Sequence, residues 1–221
     1  MVGAFYAAPA PGAKPFVKVG DTVTTVYNEE NRKAIMRNHT AAHLLQAALR
    51  SVLGTHVEQA GQLVDANEVR FDFTHFTGMT GDELKAVENL VNEEILNATE
   101  MLIKEMPIDE AKAMGAMALF GEKYGDVVRV VKMGDFSTEF CGGTHLSNSA
   151  EAGLFKIISE SSVASGIRRI EAVTGQGVLD ILNANEETLY NMTQLITHRG
   201  PDSSGFYIDN NISMGFRRLS I

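Results

Sequence analysis

From Ala41 onward the chain repeats apolar residues at helical spacing. Ala41, Leu44, Leu45, Ala48, Leu49 and Val52 fall on one stripe, and Gly54 supplies a stop. The pattern predicts a helix from about His39 to Leu53, with Asn38 or Thr40 as N-cap. The charged stretch from Asn28 to Asn38 reads as a connecting turn of helix. His56 to Leu63 and Glu68 to Phe73 read as short strands joined by the polar turn Asp65-Ala66-Asn67. Thr80 and Glu83 have capping-box spacing and open a helix to about Asn97, with Leu84, Val87, Val91 and Ile95 on its buried face. Strands are expected at Met101 to Pro107, Val127 to Met133, Leu154 to Ser159 and Ile167 to Thr174, with a short helix from Asp109 to Gly115 and Phe136 to Phe140 leading into a loop at Cys141.

The two ends carry weaker patterns. Phe16 to Tyr27 holds two β-prone runs around Gly20-Asp21, too short to close a sheet alone. Val178 to about Ile196 is helical in period, with Leu179, Leu182, Leu189 and Leu195 as expected anchors. From Thr197 to Ile221 the composition turns to Gly, Ser, Asn and Asp without a clear period, which reads as a loosely ordered tail. Runs of helices and of hairpin-like strand pairs favour an α+β fold over a doubly wound parallel sheet.

Composition narrows the setting. The chain has 221 residues, a formal net charge of −9 and a single cysteine. That charge argues against a nonspecific nucleic-acid binder, though it leaves room for a local basic groove on one RNA end. A lone cysteine makes no internal disulfide and stays free to act as a ligand in a reducing compartment. No apolar run approaches the roughly 18 residues needed to cross a membrane, and residues 1–13 lack the basic and apolar regions of a signal peptide. A cytoplasmic setting is expected.

The candidate chemistry lies in two short segments. His39 and His43 are four residues apart, one turn on a single helix face. Cys141-Gly142-Gly143-Thr144-His145 follows about a hundred residues later, and its glycines allow the backbone to fold sharply enough to aim both side chains at one point. His39, His43, Cys141 and His145 together make an N/S donor set that suits zinc. Alone, either half has a plainer explanation, as satisfied helical histidines or a buried thiol near an unrelated histidine; residue types leave both readings open. In helical metalloproteases a glutamate follows the first histidine as general base. Thr40 stands there instead, so that route to peptide hydrolysis is not supported. Gln59 has an amide able to orient a water or a substrate carbonyl, or simply to bond a sheet edge. Arg168 and Arg169 follow a tight turn, where they would bind phosphate or pair with Glu171 or Glu160. His56, His75 and His198 read as surface or strand residues.

Taken together, NHTAAHLLQAALRSVLGTHVEQAGQLV, RFDFTHF, ALFGEKYGDVVRVVKMG, FCGGTH and SGIRRIEAVTG resemble the editing domain of alanyl-tRNA synthetases and its free-standing relatives, in order, from about Phe16 to about Leu182. The resemblance implies a two-layer fold with a mainly antiparallel sheet and packed helices, preceded by part of a β-barrel-like subdomain. The implied divisions are residues 1–30, 31–182 and 183–221. It implies zinc on His39, His43, Cys141 and His145, and active-site roles for Gln59, Thr40 and Arg168. The implied reaction is hydrolysis of serine or glycine wrongly esterified to alanine-specific tRNA. A pocket for alanine discriminates against glycine or serine by only about 1–3 kcal/mol, so a second, hydrolytic site supplies the rest. Two rival readings remain: a module that binds tRNA or a partner around a structural zinc without turnover, and a hydrolase of another small ester.

The family usually has threonine where this chain has Ala42, a hydroxyl expected to contact substrate. No aminoacylation module is present in the sequence, so the chain reads as a piece of a larger synthetase, with the remainder of that protein as a partner.

Overall fold

The structure is a computed structural model and describes residues 20–22, 24, 26–117, 124–209 and 212–219. The β-prone runs of Phe16 to Tyr27, and the subdomain expected over 1–30, lie mostly outside the described residues. The chain divides into two compact units between Thr174 and Gly175.

The first helix, α1, spans Glu29–Leu53, ten residues longer at its start than the apolar stripe suggests. Asn28 is its N-cap, accepting a 2.9 Å bond from the Asn31 amide, and Glu29 and Glu30 place negative charge at the positive end of the helix dipole. Neither Asn38 nor Thr40 is a cap. Both are buried in mid-helix, and Asn38 uses its amide group across the fold, donating to Asp65 O at 2.9 Å and accepting from Thr174 Oγ1 at 2.6 Å. The histidine pair is therefore held on a continuous helix rather than at a fraying end. Gly54 ends α1 with φ of 115°, as expected for a glycine stop.

Four antiparallel strands form the main sheet in the order β1-β2-β7-β6: β1 Gln59–Val64, β2 Val69–Thr74, β6 Phe155–Ala164 and β7 Ile167–Thr174. Along β2, Val69, Phe71 and Phe73 are buried while their neighbours are not, the period-2 alternation of a sheet covered on one face. That face packs with α1 and with α2, Gly81–Leu96, in one core containing Leu44, Leu45, Leu49, Phe71, Phe73, Val87, Val91, Phe155 and Ile170. Thr80 and Glu83 form the reciprocal capping box that the sequence predicts.

A smaller sheet joins β3 Met101–Pro107, β4 Val127–Met133 and β5 Ser137–Phe140, with α3, Ile108–Ala113, against it. Met106, Ala111, Val128, Val130 and Phe140 make its own apolar cluster. β5 ends where the Cys141 loop begins, so this sheet aims the cysteine.

The second unit comprises α4, Gln176–Leu195, and a hairpin of β8, Ser203–Asp209, with β9, Ile212–Arg218. This corrects the expectation of a loosely ordered tail. Aromatic and apolar positions such as Phe206 and Phe216 sit among residues of turn-forming type, and the alternation is hidden by composition. Gly215 lets the hairpin approach α4 closely: a Cβ there would lie 2.0 Å from Thr193 Cγ2. Of the four anchors expected on α4, only Leu189 is buried; Leu179, Leu182 and Leu195 are exposed, and Val178 and Thr193 are buried instead. No helix among the described residues is long and apolar enough to cross a membrane.

Candidate metal centre

The structure brings His39, His43, Cys141 and His145 together, with their donor atoms all within 4.8 Å of one another. α1 contributes the two histidines one turn apart, and the loop after β5 contributes the other pair. Sγ of Cys141 lies 3.3 Å from Nε2 of His145 and 3.5 Å from Nε2 of His39. Several bonds shape the loop. Arg129 donates to the carbonyl oxygens of Cys141, at 2.8 Å, and Gly143. The Leu146 amide donates to Thr40 Oγ1 at 3.1 Å, so Thr40, fully buried, ties the helix to the segment that follows His145.

The glycines of the loop act differently from expectation. Neither Gly142 nor Gly143 has the positive φ that marks glycine-only backbone. Gly143 is required because the His39 ring lies against it: a Cβ at Gly143 would be 2.1 Å from Cε1 of His39, whereas a Cβ at Gly142 would meet nothing within 4 Å.

The hydrogen bonds select which ring atoms face the centre. His43 Nδ1 is 2.6 Å from Glu139 Oε2, and His39 Nδ1 is 3.3 Å from the Thr144 carbonyl oxygen. In both rings Nε2 is the atom left to donate a lone pair to a metal ion. Among the described residues, the buried His43 Nε2 has no hydrogen-bond partner, nor has Nδ1 of His145. Buried polar atoms without partners are uncommon, and such atoms mark places suited to a water or an ion. Three imidazoles and one sulfur, converging where His43 Nε2 is left without a partner among the described residues, fit a metal ion.

Electrostatics agree with that fit. Burial opposes the charged form of His43, but Glu139 and the Cys141 sulfur outweigh it and raise the imidazole to about 10. Burial would raise the Cys141 thiol, yet hydrogen bonds from His145 and His39, with the nearby charge of His43, bring it down to about 3. Burial lowers His145 to about 4; its hydrogen bond to Cys141 opposes this, and the charges of His43 and His39 reinforce it. At neutral pH the metal-free group thus holds a thiolate and a proton on His43. An incoming metal displaces that proton, because the ligand form of His is neutral. Metal affinity is expected to tighten by about tenfold per pH unit from neutrality towards the His43 value, with about one proton released per metal bound near pH 7. Calorimetric titration in buffers of different ionisation enthalpy measures this; no proton release would contradict it.

A cavity of about 260 Å³ adjoins the cluster, lined by Ile35, His39, Gln62, Leu63 and Val64. Gln59 is not among its lining residues. β1 carries a bulge between Gln59 and Gly61, after which Gln62 pairs with Phe71 and Val64 with Val69, while Gln59 pairs with Phe73. The extra residue puts both glutamines on the helix-facing side of the sheet, where simple alternation would have separated them. Arg168 pairs in register with Phe73, so Gln59, Phe73 and Arg168 form one row across the sheet. Arg168 is engaged by Glu160 through both its Nε and its Nη2, the latter at 2.7 Å. Its place on β7 is six residues from Thr174, the partner of Asn38 beside His39, or about 20 Å along the strand. Arg169 pairs with Asp72 rather than with Glu171. Ala42 is packed in the main core and does not line the cavity.

Three residues of this site have no motif. Glu139 is signalled by a charged residue at an inward position of a buried strand, Gln62 only by the bulge, and Arg129 only by its bonds to the loop.

Residues 128–171 match the family model described as the threonyl and alanyl tRNA synthetase second additional domain. Residues 172–221 match a glutamine amidotransferase domain model, and this match begins close to the division between the two compact units. The alanine–tRNA ligase of Acetivibrio thermocellus is 55% identical over 184 residues, covering 83% of this chain and 21% of that protein. That of Staphylococcus aureus strain Newman is 54% identical over 186 residues, covering 84% of this chain and 21% of that protein. The chain thus spans about a fifth of the length of the curated relatives it matches. Its α+β fold and second-additional-domain match place it with the synthetase-associated editing domains. Within that class, it carries an alanyl-tRNA synthetase editing domain.

Proposed function

We propose that the chain hydrolyses the ester of serine or glycine wrongly attached to alanine-specific tRNA, with zinc held by His39, His43, Cys141 and His145. The observation that carries the reading is the convergence of these four donors within 4.8 Å beside an open cavity. One thiolate with three imidazoles is a donor set that zinc accepts readily. Bound zinc supplies Lewis acidity, polarising a carbonyl or lowering the pKa of a water. An ester is labile enough that this, with correct placement, suffices.

The residues of the chain do the placing. Gln62, which lines the cavity wall with His39, offers an amide to the aminoacyl group. Thr40 sets the helix against the His145 segment and acts through position. Gln59 and Arg168, on one row towards the other end of the sheet, are assigned to the RNA side of the substrate. The partner in this reading is tRNA, together with the rest of a synthetase.

Removal of the metal discriminates hydrolysis from a binding module with structural zinc. The main core is built from α1, α2 and the four-stranded sheet and does not include the four donors. Chelation is therefore expected to stop release of serine from mischarged tRNA while leaving far-ultraviolet circular dichroism close to that of the loaded protein. Turnover should return on adding zinc. Tight RNA binding without turnover, with unfolding on chelation, would instead establish the structural role.

A further inference from the structure

Resting on the metal reading above, we infer that Glu139 is a positioning residue that fixes His43 as a ligand and neutralises the loaded centre. Glu139 lies on β5, two residues before Cys141, and its side chain is 5% exposed. Both of its oxygens are engaged. Oε2 faces His43 Nδ1 at 2.6 Å, and Oε1 accepts a 2.9 Å bond from Ser137 Oγ, itself buried. A carboxylate buried at this depth persists only with partners of this kind.

The arrangement has two consequences. Donation from Nδ1–H to Glu139 fixes the tautomer whose lone pair is on Nε2, the buried atom that has no partner among the described residues. Among the described residues the three imidazoles are also unequal: His39 is backed by a backbone carbonyl, His145 Nδ1 by no hydrogen-bond partner, and His43 alone by a carboxylate. A divalent ion with one thiolate and three neutral imidazoles leaves one positive charge in a largely buried site. Glu139 cancels it. A carboxylate behind a metal-bound histidine orients the ring and strengthens it as a donor, and losing such a partner typically costs about 10–100-fold in metal affinity.

The test uses cobalt in the intact chain, because its visible absorption bands report ligand geometry without any assay of turnover. E139Q keeps the shape and an acceptor oxygen but removes the charge; it is expected to bind cobalt at least about tenfold more weakly, with displaced bands. E139D, with the charge restored, should recover part of the affinity. Should E139Q fail to fold, S137A removes only the outer bond and is expected to weaken cobalt binding by a few-fold. Folded E139Q with wild-type affinity and an unaltered spectrum would overturn the inference, as would unchanged binding by S137A where E139Q does not fold. If the wild-type chain releases no serine from mischarged tRNA yet E139Q shows the weakened binding, the proposed reaction fails while the role of Glu139 stands.

Discussion

Replacing Cys141 by alanine is expected to weaken zinc binding by more than about 100-fold and to bring release of serine from mischarged tRNA to the level without protein. The lower bound follows from outer partners of a metal ligand already contributing about 10–100-fold. Cys141 is the sole anionic donor of the four, held as a thiolate against its burial by hydrogen bonds from His145 and His39 and by the charge of His43. Without it, the remaining imidazoles are neutral donors, and the ion's charge is opposed only by Glu139, at second hand. The side chain is partly exposed, in a loop outside the main core, so folding should be retained. Equilibrium competition with a chromophoric chelator gives the affinity, and release of acid-soluble serine from mischarged tRNA gives the rate. A variant that keeps both would remove Cys141 from the centre.

Gly143→Ala should have an effect of similar size for a different reason. No donor is lost, but the new methyl would lie 2.1 Å from Cε1 and 2.6 Å from Nδ1 of His39. These contacts are far inside van der Waals separation, and the obstacle is a ring pinned by the Thr144 carbonyl. The ring must swing away or the loop must lift; either opens the donor set. A fall in zinc affinity of about 100-fold is expected, comparable to losing a tightly held partner. Gly142→Ala is the matched control. It has open space around it and no left-handed φ, so near-wild-type affinity is expected. Equal losses in the two variants would mean that the loop needs glycine for flexibility and that contact with His39 is irrelevant.

Much of this centre is legible in the sequence because its donors are rare residue types in tight local spacing. One turn of helix fixes the relation of His39 to His43 whatever lies around it, and the lone cysteine has a histidine four residues away. The elements around them follow equally local rules: the capping box at Thr80, the alternation of Val69, Phe71 and Phe73, and the glycine stop at Gly54.

What escapes is set by contacts across the chain. The helix start was obscured because Asn38 has the chemistry of a cap but spends it on Asp65 and Thr174. Glu139 is an ordinary strand glutamate until His43, 96 residues distant in sequence, is packed against it. Gln62 joins the cavity through a single inserted residue, which alternation cannot foresee. The reason for Gly143 lay in the ring of His39, invisible to any local rule about glycine and turns.

The most direct measurement is X-ray absorption at the zinc edge on the metal-loaded chain. One sulfur neighbour at about 2.3 Å with nitrogen neighbours at about 2.0 Å is the predicted shell, and the sulfur should vanish in Cys141→Ala. A shell of nitrogen and oxygen alone in the wild-type chain would contradict a centre built from these four residues.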